Sequence, residues 1–140
     1  MQHGFIDQID LTVTDIQLSC VFYAKVFGSL AYILTSEYEG DVPCWVLNRS
    51  GMTFSIDPHK AKVPASHNRC ATELHHLASH LGSRAEIDSF HEFWFNENIT
   101  ILDTPTEYDY AQGYHALFFA DPDGMKFELV YEPRFDSVVI

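Results

Sequence analysis

The chain has 140 residues, 46% of them hydrophobic and 14% aromatic, and a formal net charge of −12. That is enough apolar material for one domain with a sizeable core, and far too little positive charge to grip nucleic acid or an anionic membrane surface. No apolar run approaches the ~20 residues a membrane span needs, and the opening MQHGFIDQID lacks the basic flank and apolar centre of a signal peptide. Cys20, Cys44 and Cys70 are odd in number without C-x-x-C spacing, which suits free thiols in a reducing compartment, so the expectation is a soluble cytoplasmic protein.

Phe5–Val13 alternates, with Ile9, Leu11 and Val13 on one face and Gln8, Asp10 and Thr12 on the other, which predicts a strand. Asp15 fits as the cap of a helix over Ile16–Phe27, closed by Gly28. Three short strands are expected around Tyr32–Ser36, Cys44–Leu47 and Met52–Asp57, the last two joined by a turn at Asn48–Gly51. Asp57–Thr72, with Pro58 and Pro64 and little periodicity, reads as a linker. The pattern then restarts. Glu73–Leu81 predicts a strand, and Ser83 with Glu86 an S-x-x-E capping box opening a helix to about Asn96. Ile99–Leu102, Tyr114–Ala120 and Met125–Tyr131 predict strands, the last two joined by a type I turn at Asp121–Gly124.

The order is βαβββ, linker, βαβββ, an internal duplication in which QIDLTV lies over HLASHL and SGMTFSID over DGMKFELV. Module one spans about 1–57, the linker 58–72, module two about 73–131 and a tail 132–140, together forming a single domain. Strand alternation then sorts the polar side chains. Gln8, Ser55, His76 and Glu128 fall on the faces turned away from the core, at positions that the duplication makes equivalent in height. Asp10, Asp57 and His80 share those faces, as do Tyr114, Ala116 and Phe118, while His115 points to the core. His75 belongs to a strand end, and His3, His59, His67 and His91 have no constellation around them. This polar face is either the wet side of an antiparallel sheet or a cleft that gathers a ligand.

DQIDLTVTDIQLSCVFYAKVFG, LHHLASHLGSRAEIDSFHEFW and GYHALFFADPDGMKFELVY resemble the opening, the second-module start and the ending of the vicinal oxygen chelate superfamily, which holds glyoxalase I, bleomycin-resistance proteins, fosfomycin-resistance transferases and extradiol dioxygenases. The carriers are a V-x-D-x-x-x-S-x-x-F-Y pattern at Val13, Asp15, Ser19, Phe22 and Tyr23, and an F-x-D-P-D-G-x-x-x-E-L ending from Phe119 to Leu129. The resemblance implies an α+β fold: two tandem βαβββ modules forming a curled mixed sheet around a cleft, with helices on the outer face. It also implies metal ligands at Gln8, His76 and Glu128, with Ser55 at the fourth position as a departure from the carboxylate often found there. The set suits a divalent ion, Zn, Ni, Mn, Co or Fe, with open positions for two substrate oxygens.

On that resemblance Glu128 is a catalytic base candidate and His80 a second, while Asp10, Ser55, Tyr114 and Phe118 line a substrate pocket. Lys126 is the one Lys or Arg expected on the inward face, which offers little to a phosphonate. Three readings are open. One is a metal-dependent lyase or isomerase of the glyoxalase type acting on a small oxygen-rich substrate. Another is a metal-free binding protein of the bleomycin-resistance type, for which the acidic balance fits a cationic ligand. The last is an extradiol dioxygenase, which Gln8 in place of His weakens. A homodimer is expected by the same analogy, and specificity is expected to lie in Glu37–Asp41, Asp57–Thr72 and Thr104–Gln112.

Overall fold

The computed structural model describes residues 4, 6–35, 42–49 and 52–135. The chain divides into two compact units, Met1–Ala65 and Ser66–Ile140. Among the described residues each contains one α-helix and one open, four-stranded mixed sheet, so the α+β class and the tandem βαβββ order are as expected. No helix among the described residues is long and apolar enough to cross a membrane. The expected segment Glu37–Asp41 and residues 50 and 51 of the expected turn Asn48–Gly51 lie outside the described residues.

In module one, β1 (Gln8–Val13) is followed by α1 (Ile16–Ser29), β2 (Ile33–Thr35), β3 (Cys44–Arg49) and β4 (Met52–Lys60). The sheet order is β1-β4-β3-β2, with β1 parallel to β4 and the other pairs antiparallel. Asp15 caps α1, its Oδ1 accepting from Leu18 N at 3.0 Å. The helix buries Ser19, Phe22, Tyr23, Val26 and Phe27, a stripe at three- and four-residue spacing that faces its sheet.

Gly28 does not close α1. It lies within the last turn, and the left-handed position is taken by Ala31 at φ 67°. Tyr32 N donates to Phe27 O at 2.9 Å and Ala31 N to Gly28 O at 3.2 Å, the bond pair of a Schellman motif. Tyr32 packs on Phe27 with ring centroids 5.2 Å apart, the apolar clasp that fixes the stop.

β4 runs through Pro58 to Lys60, three residues into the expected linker. Ser55 N donates to Asp7 O, so residues 57 and 59 turn the same flank to β1 and the Pro58 nitrogen faces the other. On that flank the β3 pairing has ended at Trp45–Ile56, so no ladder bond is lost to the proline.

In module two, β5 (Leu77–His80) leads to α2 (Arg84–Phe95), β6 (Thr100–Glu107), β7 (His115–Ala120), β8 (Lys126–Tyr131) and a short 3-10 turn at Pro133–Phe135. The order is β5-β8-β7-β6, with β5 parallel to β8. β5 is shorter than the expected Glu73–Leu81, and His75 and His76 precede it. β6 is longer than expected and carries Pro105, tolerated because β6 is the edge strand and its register to β7 shifts on both sides of Asp103. Ser83 Oγ accepts from Glu86 N at 3.2 Å as the cap of α2, while Glu86 Oε2 accepts from Gly82 N at 2.8 Å, one residue earlier than in a standard capping box. The Asp121–Gly124 turn closes with Gly124 N donating to Asp121 O at 3.0 Å.

Candidate functional site

α2 covers one face of the module-two sheet. Trp94 meets Phe119 at 4.9 Å between ring centroids, and His115 Nε2 lies 3.1 Å from Asp88 Oδ1, so the expected structural role of His115 fits its place under the helix. Alternation therefore turns Ala116 and Phe118 of β7, and Lys126, Glu128 and Val130 of β8, to the helix-free face, and Tyr114, just before β7, sends its hydroxyl to Glu128 on that face. Ala116, Phe118 and Val130 form an apolar patch there, with Tyr108 and Tyr114 packed against it.

Glu128 sits in this patch at 2% exposure, and both of its oxygens are engaged. Oε1 accepts from the Tyr114 hydroxyl at 2.5 Å, and Oε2 lies 3.1 Å from His76 Nε2. A buried carboxylate needs such partners, because desolvation otherwise penalises its charge. Burial, and next the bond to Glu128, hold the Tyr114 phenol well above the ordinary tyrosine range. Burial pushes His76 below the usual histidine value, with Glu128 opposing and His75 and Lys126 adding to the depression. His76 is thus held toward its neutral form, the one that ligates a metal.

His75 lies against this group. Its Nδ1 is 2.6 Å from Nδ1 of His76, so one of the two nitrogens carries the shared proton and the other accepts. The strand-end reading of His75 missed this contact, because β5 starts only at Leu77 and the two imidazoles meet outside strand alternation. His80 is exposed on β5, its ring 6.4 Å from that of Tyr131.

In module one, Phe27 approaches Trp45 at 6.4 Å on the helix side, leaving Gln8, Asp10, Ser55 and Asp57 on the helix-free face. Gln8 Nε2 donates to Asp10 Oδ2 at 2.8 Å, which leaves the Gln8 carbonyl oxygen free of that bond. His59 Nε2 lies 2.5 Å from Asp10 Oδ1, and this bond, ahead of that from Gln8, holds the Asp10 carboxyl below its usual range. His59 therefore does have a constellation. The sequence reading missed it by ending the strand at Asp57, whereas the ladder sets His59 opposite Thr12. Deeper in the face, Ser55 Oγ donates to Asp57 Oδ2 at 3.3 Å. Asp57 is 4% exposed, and its Oδ1 has no partner among the described residues. Burial, and next a contact with Asp57, raise the pKa of the neighbouring Cys44 thiol.

The two ladders correct the expected equivalence of heights. Gln8 pairs with Ser55 and Asp10 with Asp57, whereas Ala78 pairs with Glu128. With β1 superposed on β5 so that Gln8 matches His76 and Asp10 matches Ala78, the residue level with Glu128 is Asp57, not Ser55. The shared G-M-x-F aligns β4 with β8 two residues differently from the way their parallel partners align. A two-residue slip keeps every side chain on its face, so periodicity alone cannot detect it.

His76 and Glu128 are donors of the kinds a borderline-to-hard divalent ion takes, and Tyr114 and His75 supply the outer hydrogen bonds that orient such ligands. The fit is that of two ligands: among the described residues no three His, Cys, Asp or Glu side chains gather as a cage for an ion.

A family model described as the Glyoxalase/Bleomycin resistance protein/Dioxygenase superfamily matches residues 5–129. An uncharacterised Bacillus subtilis protein, YqjT, is 28% identical over 126 residues, covering 87% of this chain and 94% of its own. Among solved structures, a glyoxylase/bleomycin resistance protein/dioxygenase domain from Frankia sp. is 19% identical with a TM-score of 0.72, covering 93% of this chain and 98% of its own. A glyoxalase family protein from Enterococcus faecalis is 22% identical with a TM-score of 0.65, covering 90% and 96%. At these identities the structures speak to the fold alone.

Proposed function

Because the chain belongs to the glyoxalase/bleomycin resistance protein/dioxygenase superfamily, we propose that it is a metal-dependent enzyme of the glyoxalase type, a lyase or isomerase acting on a small oxygen-rich substrate. His76 and Glu128 are the proposed ligands within module two, and Gln8 is the first-strand ligand carried over from the family resemblance. The observation that carries this reading is the buried Glu128 carboxylate, with His76 Nε2 3.1 Å from one oxygen and the Tyr114 hydroxyl 2.5 Å from the other.

A bound divalent ion would supply Lewis acidity toward substrate oxygens. The chain's own residues do the rest. Tyr114 fixes the Glu128 rotamer through its bond to Oε1, orienting the carboxylate to take a proton from a carbon beside a carbonyl. The apolar patch of Ala116, Phe118 and Val130 excludes water from that carboxylate. Asp10, Ser55, Tyr114 and Phe118 are the proposed substrate-pocket residues, with His80 as a second acid-base group. A cytoplasmic location and a homodimer belong to the same proposal.

Elemental analysis by mass spectrometry on untagged protein tests it, with wild type beside Glu128→Ala and His76→Ala. The expected result is near-stoichiometric metal in wild type, lost in both variants while circular dichroism stays unchanged. Wild type that takes up no Ni, Zn, Mn, Co or anaerobic Fe(II) overturns the metal-dependent reading. The metal-free binding reading then takes its place. It draws support from the parallel Tyr108 and Tyr110 rings, 5.2 Å apart, which serve no carboxylate.

A further inference from the structure

Lys126 is the only Lys or Arg in the four strands of module two. Its Nζ stands 3.8 Å from the centroid of the Phe118 ring on the helix-free face. Among the described residues no carboxylate lies within ion-pair distance of it. The nearest acid along the strand, Glu128, already has Tyr114 on one oxygen and His76 on the other. A half-buried ammonium that rests on a ring gains some cation–π attraction but keeps an unmet need for hydrogen-bond acceptors. In a chain of net charge −12, an unpaired cation on an aromatic face is not explained by a shortage of acids.

The same ring connects to a stack. Tyr108 meets Phe118 edge-on at 5.5 Å, and Tyr110 lies parallel to Tyr108 with centroids 5.2 Å apart and 5° between planes. Tyr110 is 70% exposed, a large aromatic surface with its outer side uncovered by the described residues. Cation, ring and stacked pair thus follow one another across a single face of one module.

We propose that Lys126 and the Tyr108–Tyr110 pair recognise a planar ligand bearing a carboxylate or a similarly compact anionic oxygen group, the anion on Lys126 and the flat body on the tyrosines. This rests on the reading of the module-two face as the substrate face and names the class of substrate it takes. It also runs against the cationic ligand that net charge alone suggests, because the charged group left without a partner beside these rings is a cation.

Benzoate, benzamide and benzylamine share a ring and differ in charge, and their binding to wild type, Lys126→Met, Lys126→Arg and Tyr110→Ala can be followed by NMR shift perturbation. The titrations are run on protein as purified and again after chelation of any metal. Wild type is expected to prefer benzoate over benzamide by about tenfold, the size of one hydrogen bond to a charged group, and to bind benzylamine worst. Lys126→Met should bring benzoate and benzamide within about twofold of each other, and Lys126→Arg should restore the preference. Tyr110→Ala should weaken both by roughly threefold to tenfold, as loss of an aromatic contact does. No benzoate binding, a preference for benzylamine, or a benzoate preference unchanged in Lys126→Met overturns the inference. If wild type carries no metal and the preference still follows Lys126, the metal-dependent reading falls and this one stands. If the preference vanishes on chelation and ignores Lys126, the reverse holds.

Discussion

α1 in module one buries five side chains spread along its length, whereas α2 in module two buries only Ile87 and Trp94. The treatment of carboxylates differs as well. On its helix-free face module two buries Glu128 and engages both oxygens; on the matching face module one buries Asp57 with one oxygen unpartnered and leaves Asp10 exposed in a bond to His59. The same order of elements can therefore rest on a distributed core or on one large anchor. The module with the sparser helix anchor is also the one with the fully engaged buried acid on its helix-free face.

Removing that anchor should have the largest effect. Trp94 is fully buried against Phe119 and Phe90, and Trp94→Ala should cost about 3–5 kcal/mol in a urea melt. Single truncations along the α1 stripe, such as Val26→Ala, should cost less, and a loss at Val26 equal to that at Trp94 would dissolve the contrast.

Tyr114→Phe takes the hydroxyl from Glu128 Oε1 and should cost about 1.5–3 kcal/mol, the range for a hydrogen bond to a charged group. The raised Tyr114 pKa gives this a pH signature. Its contribution is complete below the unfolded tyrosine pKa of about 10 and disappears as pH rises through the higher folded value. The stability gap between wild type and Tyr114→Phe should accordingly hold at neutral pH and close in strong alkali, while ultraviolet titration shows one tyrosine ionising late.

Both modules place a non-glycine residue in the left-handed region near their helix ends, Ala31 at φ 67° and Asn98 at φ 60°. Asparagine tolerates that conformation and alanine does not, so Ala31→Gly should stabilise by about 0.5–1 kcal/mol and Asn98→Ala should destabilise by a similar amount. Thermal melts of the two variants should move in opposite directions.

The smallest effect belongs to the exposed pair in module one. His59→Ala should cost under about 1 kcal/mol. Because the Asp10 pKa is lowered, the wild-type advantage is present above the ordinary carboxylate range and fades as pH falls through the lowered value. A loss at His59 as large as that at Tyr114 would mean that module one relies on its carboxylate as heavily as module two does.

Local sequence determined a good deal of this protein. Asp15 and Ser83 cap their helices because their side chains reach the backbone three residues ahead, and the Asp121–Gly124 turn closes on bonds within itself. Period-two alternation sufficed to put Glu128, Tyr114 and Phe118 on one face, since side-chain direction in a strand is a property of the strand alone. The tertiary structure decided what depends on a partner distant in sequence. Pro58 continues β4 because β3 has already ended beside it, and that extension is what brings His59 to Asp10. The two-residue slip that sets Asp57 level with Glu128 is fixed by ladder hydrogen bonds, which leave no mark on the hydrophobic pattern. The meeting of His75 with His76, and the seat of Lys126 on Phe118 without an acid beside it, depend on which side chains the folded chain brings within a few ångströms.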